Sequence, residues 1–303
     1  MLFKSFSKTG KNVSAVGLGT WVMGGWPWNE IRLSDAESAI ETALELGVNL
    51  IDTAPIYGCG RSEEIVGKTL KRLKRRENVF LATKCGLSWE MQKKRPTVWK
   101  DSSPKRILEE VDESLKRLQT DWIDLYQIHW PDEKVEIGRT MEALLTLQNA
   151  GKIRHIGVCN YSLEQLQESL LYAPVESLQT HYNYLRREAE KDLLPFCETH
   201  SLAVLGYGTL GKGVLTGKFS MENRPSDFVR SSDRDADFTP ERYAKMLEEV
   251  EAVRQKSKEE GKTLSQWIVE WTCRQNVVTS ALVGVRNAAQ VRENLFTISG
   301  NDI

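Results

Sequence analysis

The sequence has few cysteines, and their spacing suits neither a disulfide framework nor a metal site. Only five of the 303 residues are cysteine, and no two of them form a C-x-x-C pair. Small disulfide-stabilised domains and zinc sites depend on cysteines at matched spacings. We therefore expect no disulfide, no bound metal and a reducing cytoplasm as the compartment. The five are Cys59, Cys85, Cys159, Cys197 and Cys273.

Long apolar runs and an excess of one charge are also missing. A membrane-spanning helix takes about 20 consecutive apolar residues, a length that no stretch approaches, and residues 1–6 lack the apolar run of a signal peptide. Lys and Arg together number 41 against 42 for Asp and Glu, so the formal net charge is −1. Such a chain has no general attraction for a polyanion. We therefore expect it to bind neither nucleic acid nor a membrane.

The sequence does contain a repeated alternation of short apolar runs and helical patterns. Hydrophobic residues make up 40% of the chain, which is enough for a large core. Strands that alternate with helices are typical of a parallel sheet. The predicted fold class is α/β, a single (β/α)8 TIM barrel that takes in residues 1–303 as one domain. The eight strands are expected at residues 16–20, 49–53, 79–84, 123–129, 153–160, 177–179, 203–207 and 281–285.

Turn and cap residues mark the ends of further elements. The residues around Gly10 predict a short hairpin that closes the barrel floor. The polar segment 210–240 follows the seventh strand, where a lid or a cofactor loop would lie. Helices are expected to begin near Ser34, Ser62, Ser103 with Pro104 in the first turn, and Ser162.

Polar side chains close several of the apolar strands. Because the parallel strands of a barrel point their carboxyl ends at one face, these side chains meet there although they are far apart in sequence. Asp52, Lys84 and His129 end the second, third and fourth strands, and Tyr57 follows Asp52 on the loop. Asn160, Gln179 and Tyr207 end the next three strands.

The first four residues suit the reduction of a carbonyl group. Tyrosine titrates near about 10 in water, and we expect the Lys84 cation to lower the pKa of Tyr57 while Asp52 keeps the lysine charged. His129 can donate a hydrogen bond to a substrate oxygen. No side chain supplies hydride, so a nicotinamide cofactor is required. Taken singly, the same residues also fit plainer roles as turn former, surface charge, loop packing and core histidine.

Six segments together resemble the aldo-keto reductases over nearly the whole chain. They read GLGTW (17–21), NLIDTAPIYGCGRSEEIVGKTL (49–70), ATK (82–84), DLYQIHWPD (124–132), GKIRHIGVCNYS (151–162) and YGTLGKGVLTGKF (207–219). The resemblance implies that Tyr57 is the general acid that protonates a small-molecule carbonyl substrate. It also implies that Lys84 and Asp52 assist this tyrosine and that His129 orients the carbonyl.

The resemblance further implies NADPH as the cofactor. Asn160 and Gln179 would bind the nicotinamide carboxamide, Tyr207 would stack on the ring, and Arg286 would bind the adenosine 2′-phosphate through a charge-assisted fork. Backbone amides from Gly284 onward, near the start of the last helix, would add to this anion site. The other predicted cofactor contacts are Thr20, Trp21, Asp52, Cys159, Gly208, Thr209, Leu210, Gly211, Lys212, Lys218, Arg230, Val285, Gln290 and Asn294, with Lys218 and Arg230 over the pyrophosphate.

The chain departs from many family members in two places. Cys159 stands where many have serine, and Gly208-Thr209 stands where many have Ser-Pro, which brings the chain closest to a bacterial subgroup. Three other interpretations compete with this one. Lys84 could form a Schiff base in an aldolase, and the chain could be a redox-sensing adaptor like the potassium-channel β-subunits. A Rossmann domain is disfavoured because Gly17-x-Gly19 lacks the third spaced glycine.

Overall fold

The structure is a computed structural model that describes residues 1–93, 95–231 and 235–295. Within these ranges the chain forms strands and helices that alternate along most of its length. The strands are β1 (Phe3–Phe6), β2 (Lys11–Ser14), β3 (Val16–Gly19), β4 (Leu50–Asp52), β5 (Phe80–Cys85), β6 (Leu87–Gln92), β7 (Arg95–Lys100), β8 (Ile123–Ile128), β9 (Ile153–Cys159), β10 (Val175–His181), β11 (Ala203–Tyr207) and β12 (Val278–Gly284). The α-helices are α1 (Leu33–Glu45), α2 (Arg61–Leu73), α3 (Pro104–Leu118), α4 (Ile137–Asn149), α5 (Leu163–Leu170), α6 (Leu193–His200), α7 (Pro240–Glu259), α8 (Leu264–Cys273) and α9 (Ala288–Asn294).

Eight parallel strands close into a barrel, which confirms the predicted TIM-barrel fold. Around the barrel they follow the order β3, β4, β5, β8, β9, β10, β11, β12, and β12 pairs with β3 to close the ring. The last strand begins at Val278, three residues earlier than predicted. The first residues of this strand were missed because Thr279 and Ser280 are polar, although both are buried. Ser280 Oγ donates to the Ser14 carbonyl oxygen over 2.8 Å.

The predicted N-terminal hairpin is present and fills one end of the barrel. Strands β1 and β2 pair in antiparallel register from Phe3 opposite Ser14 to Phe6 opposite Lys11. Phe6 and Val13 are fully buried and belong to one apolar cluster with residues of the barrel strands. The strand residues of that cluster are Leu50, Phe80, Ala82, Leu125, Ala203, Leu205 and Leu282.

Two of the predicted helix starts are confirmed as caps and two are displaced. Ser103 caps α3 by accepting a hydrogen bond from the Arg106 amide, and Ser162 forms a capping box with Gln165 at the start of α5. Helix α1 begins one residue before Ser34, and α2 begins at Arg61. Ser62 is therefore not a helix cap. Its buried hydroxyl is hydrogen-bonded to the hydroxyls of Thr53 and Thr20 at the barrel mouth.

Two additions to the barrel were not predicted from the sequence. Strands β6 and β7 form an antiparallel hairpin between β5 and α3, with Leu87 opposite Lys100 at its base. Helix α7 follows segment 210–240 and packs with α8, so two helices separate β11 from β12. The hairpin and the segment meet where the Arg95 guanidinium lies 4.6 Å from the centre of the Phe228 ring. In the described part of the chain, no helix combines the length and apolar character needed to cross a membrane.

Candidate active site

The barrel mouth brings Asp52, Tyr57 and Lys84 into direct contact. Asp52 and Lys84 lie on the neighbouring strands β4 and β5, and both are buried. Lys84 Nζ is 2.7 Å from Asp52 Oδ2, 2.9 Å from the Thr53 carbonyl oxygen and 3.2 Å from the Tyr57 hydroxyl oxygen. These three acceptors match the three protons of an ammonium group. The predicted cluster therefore forms, with the lysine at its centre.

The electrostatics of this cluster differ from the expectation in one respect. Burial raises the pKa of Tyr57 to about 12, although the Lys84 cation opposes the rise. The predicted net lowering is therefore wrong, because the loss of water outweighs the adjacent charge. Burial acts to lower the pKa of Lys84, but the charges of Asp52 and Tyr57 outweigh it and the pKa is raised. At neutral pH the site holds a protonated tyrosine and a charged lysine.

His129 lies beside Tyr57 as a neutral ring. The two ring centres are 5.8 Å apart at an interplanar angle of 81°, and the His129 amide donates to the Cys85 carbonyl oxygen over 2.9 Å. Burial, and then the Lys84 charge, lower the pKa of His129 well below 6.5. A neutral imidazole has one N–H donor. It can therefore hold a substrate oxygen without adding a second positive charge beside Lys84.

The other oxygen of Asp52 anchors an amide network deeper in the barrel. Gln179 Nε2 donates to Asp52 Oδ1 over 2.8 Å, and Gln127 Nε2 approaches the same oxygen at 3.4 Å. Cys159 Sγ donates to Gln127 Oε1 over 3.6 Å, and burial raises the pKa of its thiol. Gln127 was missed because it lies inside an apolar run, although it is two residues from the inward-facing Leu125. The network fixes both the aspartate and the Gln179 amide.

Asn160, just after β9, and Tyr207, at the end of β11, are joined by a hydrogen bond. Asn160 adopts the left-handed region with φ of 61°. Its Nδ2 donates to the His129 carbonyl oxygen, and its Oδ1 accepts from the Tyr207 hydroxyl, each over 2.9 Å. The ring of His181 stacks on Tyr207 with centres 5.0 Å apart. A nicotinamide ring on Tyr207, as the resemblance implies, would therefore use the opposite face.

Aromatic rings extend the site outward from Tyr57, whereas Thr20 belongs to the scaffold. The Trp21 ring centre is 6.1 Å from that of Tyr57 and 5.1 Å from that of Trp28. Thr20 is fully buried, and its hydroxyl donates to the Asp52 carbonyl oxygen over 2.9 Å and accepts from Ser62 Oγ over 2.8 Å. The Thr20 side chain therefore supports the Asp52 backbone.

Several other predicted cofactor residues are glycines or have side chains that pack within the protein. Thr209 is buried and donates to the Leu282 carbonyl oxygen over 2.9 Å, and Val285 is fully buried in the core. Gly208 and Gly211 have φ of 71° and 53° and turn the chain away from β11. Leu210 packs against two apolar clusters, and Gly284 pairs with Gly19 between β12 and β3.

Three predicted phosphate-binding cations lie close enough to repel one another. Burial lowers the pKa of Lys218, and the charges of Arg230 and Arg286 lower it further. Burial and Arg230 likewise lower the pKa of Arg286. Partly buried cations in mutual repulsion fit a phosphate group, which would relieve that repulsion. Lys212, another predicted cofactor contact, is ion-paired with Asp235.

Two backbone donors near Arg286 are engaged within the chain. The Arg286 amide donates to Gln290 Oε1 over 2.9 Å, and the Gln290 amide donates to Asn287 Oδ1 over 3.0 Å. These two amides are therefore paired within the chain, and the contribution of the backbone from Gly284 onward to an anion site stays a prediction. Asn294 is buried, and its Oδ1 has no hydrogen-bond partner within the described ranges. Recognition of a phosphate here would rest on the three cationic side chains.

Comparison with known proteins connects this geometry to a family. The model of the Aldo/keto reductase family matches residues 15–300. The chain is 42% identical over 302 residues to aldo-keto reductase YhdN of Bacillus subtilis, covering 99% of this chain and 89% of that protein. It is 36% identical to the NADH-specific methylglyoxal reductase of Escherichia coli, covering 95% of this chain and 91% of that protein.

The fold agrees with these sequence matches. The solved structure of the glycerol dehydrogenase AKR11B4 from Gluconobacter oxydans superimposes with a TM-score of 0.88 at 36% identity. The match covers 99% of this chain and 92% of that one. Both the family model and the relatives span nearly the whole sequence, and the chain therefore belongs to the aldo/keto reductase family of oxidoreductases.

Proposed function

We propose that this chain reduces small aldehydes or ketones to alcohols with NADPH, and that Tyr57 is the general acid. The observation that carries the proposal is the 3.2 Å contact between Lys84 Nζ and the Tyr57 hydroxyl oxygen. An ammonium group can only donate, so Tyr57 accepts from Lys84 and keeps its own proton for another acceptor. That acceptor is the substrate carbonyl oxygen.

The proposed proton transfer uses all four residues at the barrel mouth. A bound nicotinamide would supply hydride to the carbonyl carbon. Tyr57 protonates the carbonyl oxygen, which is favourable even from a pKa of about 12 because an alkoxide is a stronger base than a phenolate. The N–H of His129 holds the same oxygen. Lys84, fixed by Asp52, stabilises the phenolate that remains on Tyr57.

The environment of Lys84 argues against the Schiff-base alternative. A Schiff-base lysine must present a neutral amine with a free lone pair. Here the ammonium donates to three acceptors, and the Asp52 carboxylate helps to raise its pKa. Borohydride treatment with a carbonyl substrate should therefore leave Lys84 unmodified.

The preference for NADPH is supported by the cation cluster, and Arg286 is assigned to the 2′-phosphate. One relative is named NADH-specific, so the choice needs its own experiment. Arg286→Ala should weaken NADPH binding far more than NADH binding, because only NADPH carries the extra phosphate. Equal losses for the two cofactors would reject this assignment.

The general acid is tested with Tyr57→Phe. This variant should lose carbonyl reduction by a factor of about 10² to 10⁴ while cofactor binding, followed by fluorescence quenching, is nearly unchanged. Retained turnover would overturn the proposal. Relatives named for methylglyoxal and glycerol make short oxygen-rich aldehydes and ketones the first substrates to test. Rapid turnover by the unmodified chain would also argue against a purely adaptor role.

A further inference from the structure

Asp227 and Arg230 form a partly buried ion pair beside the predicted pyrophosphate site. Their side chains are only 9% and 13% exposed. Asp227 Oδ2 accepts from Arg230 Nε over 2.7 Å, and Oδ1 accepts from the Arg230 backbone amide over 3.2 Å. Both contacts fold residues Phe228–Arg230 into a single 3-10 turn. The carboxylate is thus built into the loop that carries the arginine.

The surroundings of this pair are positively charged. A Cβ atom built on Gly213 would lie 3.4 Å from Arg230 Nη1 and 3.8 Å from Lys218 Cε. Lys218 Nζ and Arg230 Cζ also lie 4.9 and 5.0 Å from the centre of the same Phe219 ring. Arg286 is near enough for its charge to act on Lys218. Asp227 is therefore one carboxylate among three cations.

We propose that Asp227 is a resident counter-ion that competes with a phosphate of the bound dinucleotide for Arg230, and so limits how tightly and how long the cofactor is held. This inference rests on the proposed binding of a dinucleotide phosphate at Lys218, Arg230 and Arg286. Leaving a mostly buried guanidinium unpaired is unfavourable. An exchange of carboxylate for phosphate keeps Arg230 paired in both states. When the cofactor leaves, Asp227 recaptures the arginine, which favours release.

The remaining contacts of Arg230 permit this exchange without moving the loop far. Its Nη1 donates to the Lys212 carbonyl oxygen over 3.2 Å, and its Cζ lies 5.4 Å from the centre of the Trp28 ring. Neither contact depends on Asp227. The guanidinium can therefore stay beside Trp28 while one of its partners changes.

Asp227→Asn tests the proposal because asparagine keeps an oxygen to cap the turn and replaces the charged acceptor of Arg230 with a neutral amide. We expect it to lower the dissociation constants of NADPH and NADH by about three- to ten-fold, the size of one partly screened charge interaction. Dissociation in a chase experiment should slow in proportion. Glu222→Gln is the matched control, since Glu222 is an exposed carboxylate of the same loop that bonds Ser220 Oγ at 2.8 Å. It should change neither quantity.

A double-mutant cycle separates a specific counter-ion from a general charge effect. In an Arg230→Ala background, Asp227→Asn should no longer tighten binding, because the competition acts through that arginine. Unchanged or weaker binding in Asp227→Asn alone would overturn the proposal, as would the same gain in both backgrounds. If alanine at Lys218, Arg230 and Arg286 leaves binding unchanged in every case, the proposed phosphate site itself is wrong. If Arg286→Ala weakens binding but Asp227→Asn has no effect, only the counter-ion role fails.

Discussion

Lys84 donates a hydrogen bond to the hydroxyl oxygen of Tyr57, and this direction is fixed because an ammonium group has no acceptor. The contact orients the phenol proton away from the lysine and places a positive charge where a phenolate would form. The same lysine is held by Asp52 and by the Thr53 carbonyl oxygen. The position of this charge therefore depends on the barrel strands rather than on a mobile loop.

Removing the Lys84 cation should impair chemistry more than binding. Lys84→Met keeps the apolar stem, and we expect it to lower kcat by about 100-fold or more at saturating cofactor. Burial already raises the pKa of Tyr57 to about 12, and the Lys84 cation opposes this rise. Without that cation the pKa should rise further, and the phenolate left after proton transfer would be less stable. Lys84→Arg, which keeps the charge, should retain more activity. A kcat near that of the unmodified chain in Lys84→Met would contradict the assigned role.

The pH profile of reduction should be flat through the neutral range. As the proposed acid, Tyr57 would act in its protonated form, and its pKa of about 12 keeps it protonated. His129 stays neutral because its pKa lies well below 6.5. We therefore expect kcat/KM for reduction to be constant from about pH 7 to about pH 9. A fall with an apparent pKa inside that range, seen in the unmodified chain but not in His129→Asn, would show that the histidine titrates there.

Stability should fall as pH rises, because of one buried carboxyl group on α3. Glu110 Oε2 accepts from the Gly86 amide over 3.0 Å, and burial raises the pKa of Glu110 from 4.5 to about 8 against the opposing effects of this bond and of Arg106. Between these two values the folded chain keeps a proton that the unfolded chain releases. The free energy of unfolding should therefore decrease with rising pH up to about 8 and then level off.

Two glutamine variants of α3 test this linkage. Glu110→Gln keeps an acceptor for the Gly86 amide and removes the titration, so it should flatten the pH dependence of the free energy of unfolding, measured by denaturant titration. Glu109→Gln is the matched control. Glu109 lies on the same helix but is half exposed, and its ion pair with Lys105 is long at 4.0 Å. Its profile should follow that of the unmodified chain. Parallel profiles for Glu110→Gln and Glu109→Gln would show that Glu110 does not cause the slope.

Thr20 should prove to be a structural residue. Thr20→Val has nearly the same shape but loses the hydroxyl that bonds the Asp52 carbonyl oxygen and Ser62. We expect a loss of about 1 to 3 kcal/mol in the free energy of unfolding with little change in the dissociation constant of the cofactor. Thr20→Ser should recover the stability. A large rise in the dissociation constant of a stable Thr20→Val variant would instead support the cofactor contact that the resemblance implies.

The order of the barrel strands and the four residues at their mouth follow from local patterns. Asp52, Lys84 and His129 could be assigned because each ends an apolar run, and the carboxyl ends of parallel strands share one face. The pKa of Tyr57 could not be assigned in the same way. Whether this pKa rises or falls depends on how completely residues distant in sequence bury the ring. That burial outweighs the effect of the neighbouring lysine.

Other missed features did leave signals in the sequence. The alternation of Leu87, Trp89 and Met91 is typical of a strand, and Thr239 before Pro240 is a helix start of the kind recognised at Ser103. Gln127 follows Leu125 at a spacing of two, which places both on one face of β8. By contrast, the pairing of Asp227 with Arg230 at a spacing of three depends on a turn in an irregular loop.

The hairpin formed by β6 and β7 leaves the barrel and returns to it at one point. Leu87 pairs with Lys100 at its base, and the Asp101 amide donates to the Gly86 carbonyl oxygen over 3.1 Å. The two ends of the hairpin are therefore joined to the barrel in the same way whatever sequence lies between them. Because these two ends are paired with each other, we expect a loop of another length to replace the hairpin without displacing Lys84, which lies two residues before Gly86.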